Sequence, residues 1–166
     1  MNIKYNATNT LTLDFEFDLL WGRRYVWQVG GIVTTPDSNI EFQYDISLIK
    51  GKGIGQRDGL LRLLKVIEHY KIDVIRCHNA GAERSVLAEW CKREDVQMPR
   101  LLWVDTLAIA RRTLPRHWAF SQEELLKRFG LDQGGAAHTA LPDARGCMLL
   151  FERLNQIRQG LVPMPN

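Results

Sequence analysis

No apolar run in this 166-residue chain approaches the length needed to cross a membrane, and the opening Met1-Asn2-Ile3-Lys4-Tyr5-Asn6 has no apolar signal core. Neither a membrane protein nor a secreted one is therefore expected. Cysteine is scarce: Cys77, Cys91 and Cys147 are odd in number and lack paired spacing. That argues against a zinc ribbon or a disulfide framework and for reduced, buried thiols in a cytoplasmic protein. Excess charge of one sign is lacking too. A net charge of +3 permits a nucleic-acid partner without arguing for one. There is no internal repeat, low-complexity stretch or linker. With 45% hydrophobic and 25% charged residues the composition is that of an ordinary globular domain. One domain over residues 1–158 is expected, with a two-proline tail at 159–166 leaving its body.

The chain does contain clear periodicity. Residues 10–18 alternate, with Leu11, Leu13, Phe15 and Phe17 on one face and Thr12, Asp14, Glu16 and Asp18 on the other, which predicts a strand. A turn at Trp21-Gly22-Arg23-Arg24 leads to a second strand at 25–35. The cluster Pro36-Asp37-Ser38-Asn39 then leads to a third at 40–48. Helical spacing follows at Leu60, Leu63, Leu64, Ile67 and Tyr70. Residues 73–77 and 101–104 read as short buried strands, each followed by a helix. Ser121-Gln122-Glu123-Glu124 is a capping box with Gly130 as the stop, and a last helix is expected from Pro142 to Arg158. The order β-β-β-α-β-α-β-α-α-α predicts an α/β fold: a mixed five-stranded sheet, antiparallel then parallel, flanked by helices.

Three short segments carry the chemistry. Asp14 and Glu16, two apart on a strand, leave the same face. Alone, such alternation describes the solvated side of a half-exposed strand. Near a sheet centre, crowded carboxylates resist ionisation unless a cation neutralises them, and hard oxygen ligands suit Mg²⁺ or Mn²⁺ rather than zinc. Glu83 falls in the first turn of a helix after His78-Asn79-Ala80-Gly81. A favourable contact with the helix dipole would explain it alone, and His78 fits a hydrogen-bonding element of the turn. His138 lies on the loop after Gly134-Gly135-Ala136-Ala137, and Asp143 opens the last helix. Four carboxylates and one imidazole suffice to hold two divalent cations and activate a water for phosphodiester cleavage. Each signal is weak alone, but their joint order and placement are demanding.

These segments resemble the DEDDh-type 3′→5′ exonucleases, the group that includes the proofreading subunit of bacterial DNA polymerase III, RNase T and oligoribonuclease. The resemblance runs over roughly residues 10–158. Asp14 and Glu16 match the family's Asp-x-Glu motif, His78-Asn79-Ala80 with Glu83 its second motif, and His138 with Asp143 its third. The resemblance implies a ribonuclease-H-like fold and two Mg²⁺ or Mn²⁺ ions held by Asp14, Glu16, Glu83 and Asp143. It implies His138 as general base and release of 5′-mononucleotides from single-stranded DNA or RNA 3′ ends. A homodimer or a polymerase partner would also be in keeping with it, and the tail segment Gln159-Gly160-Leu161-Val162-Pro163-Met164 resembles a docking peptide for a replication clamp. A non-catalytic nucleic-acid-binding or regulatory module of the same fold is the alternative.

Some positions depart from the pattern. The acid of the second motif is usually Asp, and Glu83 reaches about 1.5 Å further. Phe17-Asp18-Leu19 stands where Thr-Thr-Gly commonly follows the first motif. For substrate contacts, Phe15 and Phe17 are candidates for base stacking, although their alternation also fits core packing. His78 and Asn79 belong to the second motif. Trp118, among Arg111, Arg112 and Arg116, has the look of an exposed stacking residue. Lys50 and Lys52 on a glycine loop are candidate phosphate contacts, and Asp105 reads as a helix cap rather than a ligand.

Overall fold

A computed structural model describes residues 8–48 and 54–164 of the protein. Lys50 and Lys52 lie outside the described residues. The chain runs through β1 (Thr10–Leu20), β2 (Arg23–Thr34), β3 (Ile40–Ser47), α1 (Gln56–His69), β4 (Val74–Cys77), α2 (Ala80–Arg93), β5 (Leu102–Asp105), α3 (Thr106–Thr113), α4 (Gln122–Phe129) and α5 (Ala140–Arg158). The five strands form one sheet in the order β3-β2-β1-β4-β5. The first three pair antiparallel, and β4 and β5 add in parallel. The predicted element order and mixed sheet are both present.

The alternation in β1 sorts the two faces. Leu11, Leu13 and Phe15 turn toward α1 and α2, where Leu60, Leu63, Val86, Leu87 and Trp90 complete the larger core. Paired residues of neighbouring strands share a face, so Thr12, Asp14 and Glu16 lie with their partners Ile32, Gly30 and Gln28. That second face receives α5, with Ala144 and Met148 against Ile32. Behind α5, the helices α3 and α4 close a smaller cluster around Leu125, Leu150 and Leu154.

Several helix ends form for reasons written in the sequence. The Ser121 side chain accepts from the Glu124 amide at 3.3 Å, and Gly130 ends α4 in the left-handed conformation. Helix α5 begins two residues before Pro142, at Ala140. This corrects the expected start. The first-turn amides have no intrahelical acceptor, so proline costs nothing at the third position. Two structural features then shape the region around β1. It pairs with β4 only from Thr10 to Thr12, so beyond that point its edge toward β4 has no strand beside it among the described residues. Gly30 lies against the start of α5, where an added Cβ would sit 2.1 Å from the Ala140 carbonyl carbon.

Candidate metal-binding active site

The acids expected from the sequence converge where β1 loses its parallel neighbour. One carboxylate oxygen from each of Glu16 and Asp143 and one ring nitrogen of His138 lie within 4.8 Å of one another. Asp14, His78, Gln122, Gln133, His138 and Asp143 contribute to the walls of a cavity of about 200 Å³ beside them. Glu83 approaches from the other side of the sheet. Its side chain is buried, and its carboxylate accepts the Phe15 backbone N–H, the donor that a longer β4 would have satisfied. A larger cavity, about 810 Å³ around Arg84, Arg100 and Trp103, has Asp73 as the only carboxylate in its lining.

The electrostatics of this cluster are unfavourable without a counter-charge. Burial, followed by the charges of Glu83, Asp143 and Glu16, pushes the Asp14 carboxyl up to about 9. Burial raises Glu83 to about 8, against the opposing pull of its Phe15 hydrogen bond. Glu16 is also raised, by burial and then by Asp143, with His138 acting the other way. One Glu83 oxygen, Oε2, is buried with no hydrogen-bond partner among the described residues. Acids that are crowded, buried and partly unpartnered fit divalent cations, and an all-oxygen acid set suits Mg²⁺ or Mn²⁺.

Asp143 is held by residues that the sequence did not single out. Its Oδ1 accepts from Gln133 Nε2 at 2.9 Å and its Oδ2 from the Thr139 amide at 3.3 Å. Gln122 Nε2 donates to its backbone carbonyl at 2.9 Å. Arg145 fixes the backbone of Gln133 through a 3.0 Å bond to its carbonyl. Gln28 Oε1 accepts from the Ala140 amide, tying the start of α5 to β2. No local pattern marks a glutamine in a loop as an orienting group, so only the tertiary structure reveals it. Replacing Gln133 with Leu should weaken Mn²⁺ binding roughly 10- to 100-fold in calorimetric titration, with little change in melting temperature. Unchanged affinity would reduce Gln133 to a packing role.

The second motif is arranged as a joint. Burial lowers the His78 pKa, against the opposing pull of its hydrogen bond to the Phe120 backbone. Its Nε2–H donates to the Phe120 carbonyl at 2.9 Å, and its Nδ1 lies 2.9 Å from the Thr106 hydroxyl. Asn79 is exposed and left-handed, with a φ of 68°, and its amide donates to Asp105. Asp105 also accepts from Leu107 and Ala108, the capping role expected of it. His138 is exposed at a φ of 59° on the loop before α5.

Two of the proposed substrate contacts are corrected. Trp118 is buried, packed edge-on against Phe129 with the Arg128 guanidinium 4.3 Å from its ring centroid. The cation on its ring is Arg128 of α4, not one of the arginines nearby in sequence, and the indole closes the smaller core instead of facing solvent. Phe15 is also buried, its ring 6.1 Å from that of Trp90, so it packs the core and offers no stacking face. Phe17 is partly buried against the same core and lies near Arg24.

The five-stranded mixed sheet with its flanking helices is a fold shared with several solved nuclease structures. No protein-family model and no curated protein matches the chain, but solved structures do. E. coli exonuclease I, in complex with a dT13 oligonucleotide, superimposes with a TM-score of 0.77 at 15% identity over 93% of this chain. The chain spans 42% of that protein's length. The nuclease domain of 3′hExo, a DEDDh family member bound to rAMP, gives 0.75 at 11% identity, covering 93% of this chain and 94% of that one. S. pombe Pop2p, in a form with bound Mg²⁺ and Mn²⁺, gives 0.68 at 10% identity over 89% of this chain and 82% of its own. Among the described residues no helix is long and apolar enough to cross a membrane.

Proposed function

We propose that this protein is a metal-dependent 3′→5′ exonuclease that releases 5′-mononucleotides from single-stranded DNA or RNA ends. The observation that carries the reading is the convergence of four carboxylates and one histidine at a single break in the sheet. Two of those acids, Asp14 and Glu83, are so disfavoured as anions that a bound cation is the natural counter-charge. Asp14, Glu16, Glu83 and Asp143 would hold two Mg²⁺ or Mn²⁺ ions, which when bound offset negative charge on the phosphodiester and lower the pKa of water. His138, exposed and on a loop, takes the proton as the water oxygen bonds to phosphorus. The P–O3′ bond breaks, and the leaving 3′-oxygen takes up a proton from solvent. A frayed or single-stranded end is the form of substrate that such a recessed site admits. The neighbours described with dT13 and with rAMP lend support to a nucleic-acid substrate. The three free, buried cysteines agree with a cytoplasmic setting.

The reading is tested with 5′-labelled single-stranded DNA and RNA of one sequence, in Mg²⁺, Mn²⁺ or chelator. A ladder shortening from the 3′ end is expected with cation and not with chelator. His138→Ala should slow turnover about 100-fold or more while leaving Mn²⁺ affinity near that of the wild type. Bound but uncut strands in every lane would instead establish the non-catalytic module.

A further inference from the structure

The β1–β2 hairpin continues past the carboxylates and ends in apolar side chains exposed to solvent. Trp21, at its tip, is 93% exposed and Leu19 68%. The turn is formed by Trp21 and Gly22, both left-handed, with φ values of 49° and 75°. A two-residue hairpin turn of this kind strongly favours Asn-Gly, and a bulky aromatic at its first position is disfavoured by backbone sterics. Folding alone therefore gives no reason for a tryptophan here. Arg23, next in the chain, is exposed, while Arg24 is paired with Glu89 at 3.3 Å. Beside the hairpin lies a cavity of about 450 Å³ lined by Leu20, Tyr25, Trp27 and Leu48, with Asp18 and Ser47 as its polar members. Trp27 is itself 39% exposed.

Resting on the exonuclease reading, we infer that this hairpin is a second nucleic-acid contact, on which Trp21 stacks an unpaired base of the strand held at the carboxylates. An exposed indole beside an arginine and an apolar cleft large enough for a base is the chemistry of sequence-independent single-strand binding. The location fits as well. Trp21 directly follows the end of β1 and is five residues beyond Glu16, roughly 17 Å at the usual rise. At about 3.4 Å per stacked nucleotide that is some five nucleotides from the cleavage site.

The test measures affinity by fluorescence anisotropy, in chelator, for oligothymidylates of three and ten nucleotides. The wild type should bind the longer strand far more tightly. Trp21→Asn should weaken ten-nucleotide binding about tenfold and leave the trimer unchanged. Because Asn-Gly suits this turn, the variant should melt at or above the wild-type temperature, so lost binding would not reflect misfolding. Equal affinity of the two proteins for the longer strand would overturn the inference. So would sedimentation showing that Trp21→Asn splits a dimer, which would assign the hairpin to a second copy of the chain. The two readings fail separately. A wild type that cuts strands while Trp21→Asn binds them normally removes only the hairpin contact. A wild type that binds through Trp21 without cutting removes only the exonuclease.

Discussion

Replacing Asp14 with Asn should stabilise the cation-free protein at pH 8 and lower its nuclease activity roughly a thousandfold or more. The first effect follows from the sign of the proton linkage. Asp14 titrates near 9 in the folded protein against 3.8 ordinarily, so between those values the folded state binds more protons than the unfolded one. The stability this group contributes is complete below about 4 and is lost as the pH climbs toward 9. Asparagine keeps the shape and has nothing to ionise. We expect the wild type without cation to lose melting temperature steadily from pH 6 to 9 and Asp14→Asn to lose less. By pH 8 the gap should reach about 2 kcal/mol, or roughly 4–8 °C. Adding Mn²⁺ should raise the wild-type melting temperature, increasingly so at higher pH, and should scarcely move that of the variant. Differential scanning calorimetry across pH, with and without Mn²⁺, decides this. Parallel pH profiles for the two cation-free proteins would show that Asp14 is not strained as an anion.

The second large effect is expected at Gly30. A methyl group added there meets the Ala140 carbonyl carbon at 2.1 Å and the Leu141 amide nitrogen at 2.2 Å. These are backbone atoms that no rotamer change can remove. Overpacking of this kind costs about 3 kcal/mol, or roughly 6–12 °C in melting temperature. The start of α5 can relieve the clash only by backing away from the sheet, carrying Asp143 with it. Gly30→Ala should therefore lose its stabilisation by Mn²⁺ along with its stability. Gly81→Ala is the control. Nothing lies within 4 Å of the added Cβ, in the first turn of α2, so this variant should be neutral or slightly stabilised. A Gly30→Ala protein that melts with the wild type and still responds to Mn²⁺ would show that α5 can tilt without disturbing the site.

The sequence revealed what depends on neighbours along the chain. Alternation in β1 placed Asp14 and Glu16 on one face, and Asp105, Ser121 and Gly130 could be assigned because a cap or a stop acts within a few residues. What stayed hidden depends on contacts between distant segments. Gln133 matters only because the 130s loop folds beside α5, and Gly30 only because a helix 110 residues later lands on it. Trp118 misled because its arginine-rich surroundings suggest a surface, whereas Arg128 on the next helix covers the ring. Glu83, where the family that the sequence resembles usually has Asp, stood out in the sequence as an oddity. In the structure its longer side chain reaches the Phe15 amide at the unpaired edge of β1.

That reach has a consequence for the sheet itself. The rung of the central strand that β4 leaves open is closed by a side chain that also belongs to the acid cluster, at the place where β4 stops accompanying β1. Strand pairing and the charge of the cluster are thereby tied together: whatever changes the ionisation of Glu83 changes the strength of that rung as well.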